Sequence, residues 1–152
     1  METREVMTQL DNLMPLFLEQ FRAGKSVIFS PRGVSMLPML RQGIDSVVLS
    51  PLPGALRKYD LPLYRYPSGK YVLHRIVKVQ EEAYLCMGDN TYSYETVEKG
   101  CVIAVVTAFR RGSREISVTN PGYRLYCRFW HYSRPLRHFW RRGMGWLRRH
   151  LK

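Results

Sequence analysis

Leu61-Pro62-Leu63-Tyr64-Arg65-Tyr66-Pro67-Ser68-Gly69-Lys70-Tyr71-Val72-Leu73-His74-Arg75-Ile76-Val77-Lys78-Val79 sets two apolar, β-branched and aromatic runs on either side of a Pro-Ser-Gly turn. Runs of that kind separated by turn formers predict short strands, here over 61–64 and 71–79. The same grammar extends outward in both directions. Before it come 27–29 and 46–49, the latter followed by Pro51-Leu52-Pro53-Gly54; after it come 83–87, 101–109 and 115–118, the last two parted by Arg111-Gly112-Ser113. Many short strands without alternating helices predict a mainly β fold, an antiparallel sheet or small barrel rather than a parallel α/β sheet.

The flanks have a different period. Over residues 2–23, Val6, Leu10, Leu13, Phe17 and Phe21 recur at helical spacing, predicting an amphipathic helix packed on the body. Pro15 inside it predicts a kink or a break. Beyond Asn120-Pro121-Gly122 the chain is rich in arginine and aromatics, with an interrupted apolar stripe of Leu125, Phe129, Tyr132, Leu136, Phe139 or Trp140, Leu147 and Leu151. Pro135, Gly143 and Gly145 argue against one continuous helix there, so the extension reads as partly helical. At 152 residues the chain suits one domain with appendages: a helix over 1–24, a domain over 25–120 and a basic aromatic tail over 121–152.

Charge follows the same division. Of a formal net charge of +12, nine basic residues with no acid lie in 121–152, which leaves +3 for the first 120 residues. An anionic partner for the tail is implied. Trp130, Trp140 and Trp146 among the arginines favour an anionic membrane surface, because indole settles at headgroup depth; nucleic acid, through stacking and phosphate contacts, is the second candidate. Cys86, Cys101 and Cys127 are an odd set without metal-ligand spacing, which supports neither a disulfide framework nor a zinc site and points to free thiols in a reducing compartment. No apolar run approaches the roughly 20 residues of a transmembrane helix, and the N-terminus lacks the layout of a secretory signal. Cytoplasmic residence is expected, with peripheral membrane association through the tail.

Chemistry enters with a serine. Ser35 lies in Gly33-Val34-Ser35-Met36-Leu37-Pro38-Met39-Leu40, just beyond a predicted strand, where a glycine two residues before and a proline three after predict a bend. Such a bend exposes a hydroxyl and frees backbone N–H groups, at Gly33, Ser35 and Met36, to stabilise an oxyanion. Alone, the serine reads equally as a turn or helix cap. His74 alone reads as a hydrogen-bonded core residue, yet it is the only histidine before residue 131. Any histidine base in the body must be His74, whose intrinsic pKa of about 6.5 suits proton exchange at neutral pH. Two carboxylates follow: Asp89, in the turn Gly88-Asp89-Asn90, and Glu95. Spacing does not rank them. Asp45, in Gly43-Ile44-Asp45, is a third acid whose simpler reading is a turn or strand entry.

Four ordered motifs then resemble a family. GVSMLPML, KYDLPLY, LHRIVKV and MGDN, across about Gly33 to Thr107, are similar to the type I signal peptidase superfamily, which includes the LexA-type self-cleaving repressors. The resemblance implies that superfamily's mostly β catalytic fold, with Ser35 as nucleophile. His74 followed by Arg75 resembles the archaeal and endoplasmic-reticulum branch, which uses histidine where the other members use lysine. In that branch the acid of the triad lies some residues past the GDN turn, which puts Glu95 first as orienter of His74 and Asp89 as a second acid shaping the site.

The function expected is a serine endopeptidase that cleaves a peptide, or a leader or signal segment of a protein, through Ser35, His74 and Glu95 or Asp89, without metal or organic cofactor. The rival is a non-catalytic module that keeps the fold and docks on membrane or nucleic acid through its tail.

Overall fold

The computed structural model describes residues 2–150, with the side chains of 2–9, Leu147, Arg148 and His150 outside the description. The expected stripe positions Val6, Leu147 and Leu151 therefore lie outside the described side chains. The elements run α1 (Glu2–Arg22), β1 (Val27–Phe29), β2 (Asp45–Ser50), β3 (Pro62–Arg65), β4 (Tyr71–Leu73), β5 (Arg75–Val79), β6 (Ala83–Met87), β7 (Glu95–Glu98), β8 (Val102–Arg111), β9 (Arg114–Ser117), α2 (Pro121–Tyr132) and α3 (Arg134–His150).

Every strand pair is antiparallel, as the alternation of short strand and turn predicts. The larger sheet has the order β1-β2-β8-β3-β4, with β9 also on β8; β5-β6-β7 form a second, three-stranded sheet. The fold is nonetheless mixed rather than mainly β, because helices of 21, 12 and 17 residues flank the strands. Pro135, Gly143 and Gly145 all lie within α3. Proline is tolerated there because it stands one residue into the helix, where the missing N–H has no intrahelical acceptor to lose.

Pro15 does not divide α1. Leu10 and Met14 before it and Phe17 after it are all buried in one core cluster, and that burial outweighs the single hydrogen bond a proline removes. Leu13, expected on the apolar face, is exposed; Met14 takes the inward position. The same cluster takes Val47 and Leu49 from β2, Ala104, Val106 and Phe109 from β8, and Tyr123 and Cys127 from α2. The segment from residue 121 is thus not a mere appendage, since its first helix completes the core. A second cluster of Tyr64, Ile76, Tyr84, Cys86 and Val97 fills the space between the two sheets.

The run 71–79 is not one strand. β4 pairs with β3 through Leu73 opposite Leu63, whereas β5 pairs with β6 through Arg75 opposite Met87. The chain leaves one sheet and enters the other at His74, which belongs to neither ladder. An apolar pattern reports burial, not a change of partner, so the break is invisible in sequence. β7, by contrast, is a strand of mostly polar residues on the edge of the small sheet, held by backbone pairing with β6. Among the described residues, no helix is long and apolar enough to cross a membrane.

Candidate active site

The switch of sheets at His74 leaves its imidazole, 9% exposed, facing the crevice between them. It meets one partner from each. Nδ1 is 2.9 Å from Glu95 Oε2, on β7 of the small sheet, and 3.3 Å from Tyr64 Oη, on β3 of the large one. Tyr64 Oη in turn donates to the same Glu95 oxygen at 2.5 Å. Burial raises the Glu95 carboxyl, but hydrogen bonds from Tyr64 and Tyr66 and the proximity of His74 outweigh it and hold the group below its ordinary value. Burial, then Glu95, pushes the Tyr64 hydroxyl far up, so it stays protonated and can only donate to the carboxylate. Glu95 therefore accepts from Nδ1–H. The tautomer follows: Nε2 carries the lone pair.

Nε2 points toward the loop that carries Ser35. Ser35 lies in the connection between β1 and β2, where Gly33 adopts φ +101°, a left-handed conformation that favours glycine. Ser35 O accepts from Asn90 N at 2.8 Å and Val34 O from Asn90 Nδ2 at 3.1 Å, which ties this loop to the Gly88-Asp89-Asn90 turn. The packing at Gly88 is closer still. A Cβ there would stand 2.6 Å from Ser35 O and 3.1 Å from His74 Nε2. Glycine is required because the Ser35 carbonyl and the His74 ring both crowd the place a Cβ would take.

Ser35, His74 and Glu95 line one cavity of about 570 Å³, together with apolar walls from Leu10, Val34, Met36, Leu40 and Leu73, and with Arg32 and Lys70 among its lining residues. Among the described residues, no hydrogen bond joins Ser35 Oγ to His74. Of the three expected oxyanion donors, Gly33 N–H is already engaged, donating to Gln42 Oε1 at 2.6 Å. The N–H groups of Ser35 and Met36 have no acceptor among the described residues.

Asp89 does not reach the imidazole. Its two oxygens accept from Arg75 Nε and Nη2, each at 2.8 Å, in a bidentate pair with both side chains buried. Arg75 Nη1 continues to Tyr123 Oη at 2.8 Å, and Trp130 Nε1 donates to Asp89 O at 2.9 Å. Arg134 Nη1 also donates to Thr91 O at 3.2 Å. The turn behind Ser35 and His74 is thus clamped from below by α2 and the start of α3. Asp45 is buried against Arg41, whose guanidinium and backbone N–H hold its carboxyl below the usual range; it closes the end of the Ser35 loop and does not enter the cavity.

Two thiols are excluded as nucleophiles. Burial, reinforced by Glu95, pushes Cys86 up to about 12, and burial raises Cys127 as well, so neither is a thiolate at neutral pH. Among the described residues no group of three His, Cys, Asp or Glu converges as a metal site. Tyr64 and Tyr66 were not expected in the site. Tyr64 lies in β3 and Tyr66 just past its end, beside a turn, which sets neither apart in sequence from the tyrosines of β4 and β6. Comparison with family models, curated proteins and solved structures gave no match to this chain.

Proposed function

We propose that this chain is a serine endopeptidase, with Ser35 as nucleophile, His74 as general base and acid, and Glu95 as the group that orients His74. The observation that carries the reading is the buried imidazole with Nδ1 on Glu95 and Nε2 beside the Ser35 main chain, in one cavity. Ser35 Oγ attacks the scissile carbonyl as Nε2 takes its proton. The N–H groups of Ser35 and Met36 receive the oxyanion. His74 then gives the proton to the leaving amine, and a water activated by the same nitrogen releases the acyl group. The charge that develops on the imidazole is met by a carboxylate already ionised at neutral pH.

The apolar walls suit an extended peptide with aliphatic side chains, such as a leader or signal segment. The motifs support the signal peptidase-like and LexA-like fold with a histidine base. Three free cysteines are in keeping with a reducing compartment, which favours the cytoplasm.

A fluorophosphonate probe tests this directly. Mass spectrometry of the labelled protein is expected to find the adduct on Ser35, with labelling lost in Ser35→Ala and reduced by orders of magnitude in His74→Ala. Stoichiometric labelling elsewhere, or unchanged labelling of His74→Ala, refutes the reading in favour of a binding module.

A further inference from the structure

The helices that clamp the catalytic turn have a second side. The backbone ladder crosses their junction, with Ser133 N donating to Phe129 O at 2.9 Å and Arg137 N to Ser133 O at 3.0 Å. Along this length Tyr123, Cys127, Trp130 and Arg134 form the inward stripe, spaced by three or four residues. Leu125, Phe129, Tyr132, Leu136, Phe139 and Trp140 form another at the same spacing, and each is between 66 and 78% exposed. At about 100° of rotation per residue the two stripes lie on opposite sides of the helices. Arg124, Arg128 and Arg142 are exposed on the flank of the outer stripe, and no acid occurs after Glu115.

An exposed face that joins six large apolar side chains to unopposed arginines needs a partner that is both anionic and apolar. A second copy of the chain would bring the same positive charge. Nucleic acid would answer the arginines but leave Leu125, Leu136 and Phe139 without an apolar phase. A bilayer interface answers both: arginine meets anionic headgroups while leucine and phenylalanine enter the acyl boundary and tryptophan stays at headgroup depth. We propose that the outer face of α2 and α3 lies in the plane of an anionic membrane surface. Because the inner stripe of the same helices holds Asp89 and Thr91, the turn behind His74 stands about one helix diameter, ~10 Å, from the headgroups.

Flotation of the full chain with vesicles tests the proposal, using equimolar phosphatidylglycerol and phosphatidylcholine against phosphatidylcholine alone. Binding to the anionic vesicles is expected to exceed that to the neutral ones by about tenfold or more, and to weaken but persist in high salt, since salt screens the arginines and not the apolar insertion. A variant with Leu136→Gln, Phe139→Gln and Trp140→Gln, whose wild-type side chains are all exposed and whose replacements keep helix propensity, is expected to lose about tenfold or more while its circular dichroism is unchanged. Arg124→Gln and Arg128→Gln are each expected to lower affinity by about fivefold. Failure of the wild-type chain to float with anionic vesicles overturns the proposal, whether or not it binds single-stranded DNA in a parallel shift assay. Equal partition of the triple variant and the wild type overturns it as well.

Discussion

Glu95→Gln isolates the electrostatic part of the site, because the amide is nearly isosteric with the carboxylate. In the native protein Glu95 Oε2 accepts from both Tyr64 Oη and His74 Nδ1. After the change, the amide oxygen that takes the place of Oε2 still accepts from both, so the tautomer is kept and what is lost is the charge. An ion pair at this separation is worth about 4 kcal/mol at an effective dielectric near 20. Solvent reaches 27% of the Glu95 side chain, and screening reduces that figure to about 2–3 kcal/mol, or roughly a hundredfold in rate. The rate of Ser35 labelling by a fluorophosphonate is therefore expected to fall by about a hundredfold with the fold intact. Labelling within about threefold of wild type, in a variant with unchanged circular dichroism, refutes the assignment of Glu95 as orienter. The same carboxylate has a signature in stability. Its pKa is lowered in the folded state, so its contribution is present above the ordinary carboxylate range and is lost as pH falls through the lowered value. Glu95→Gln should therefore flatten that acid-side loss in urea titrations.

Other perturbations test the frame around the site. Gly88→Ala places a methyl 2.6 Å from Ser35 O, a backbone atom that cannot yield as a side chain would, and is expected to lose about 1–3 kcal/mol in urea unfolding together with most of the Ser35 labelling. Tyr64→Phe removes a hydrogen bond that lowers the Glu95 carboxyl, so the acid midpoint of unfolding should move to higher pH; an unchanged midpoint would contradict that role. Arg75→Met leaves the Asp89 charge buried and unpaired, for an expected loss of about 3–5 kcal/mol in urea unfolding at neutral pH. Truncation after Asn120 removes Tyr123 and Cys127 from the core and both helix donors to the turn behind His74, so the shortened chain should neither melt cooperatively nor label on Ser35.

Much of the site was legible because its chemistry is tied to rare residues. One body histidine, one serine in a glycine–proline bend and two acids past it bounded the choice, and the resemblance ordered the acids as the geometry now does, with Glu95 on His74 and Asp89 on Arg75. The partners that tune the group were not legible. Tyr64 and Glu95 are 31 residues apart and on different sheets, and no local pattern records that they share an oxygen. Nor does the sequence of Gly33 disclose that its N–H is used by Gln42.

The sequence by itself determined the local structure: strand positions from β-branched and aromatic runs, antiparallel order from the turns between them, and helical flanks from three-and-four spacing. Those signals depend on contacts within a few residues, and they fail where pairing or burial across the fold decides instead, as in the polar strand β7 and at Pro15 inside α1. Tertiary structure alone decided where the run 71–79 breaks, which acid meets the imidazole and what the basic extension is for on its inner side. Each of these is a long-range choice among alternatives of similar local energy. The exchange of one sheet for another at His74 is settled by which neighbours offer free backbone groups on either side. Burial of Arg75 was tolerable only once Asp89, Tyr123 and Cys127 had gathered around its guanidinium, from segments that meet nowhere but in the folded protein.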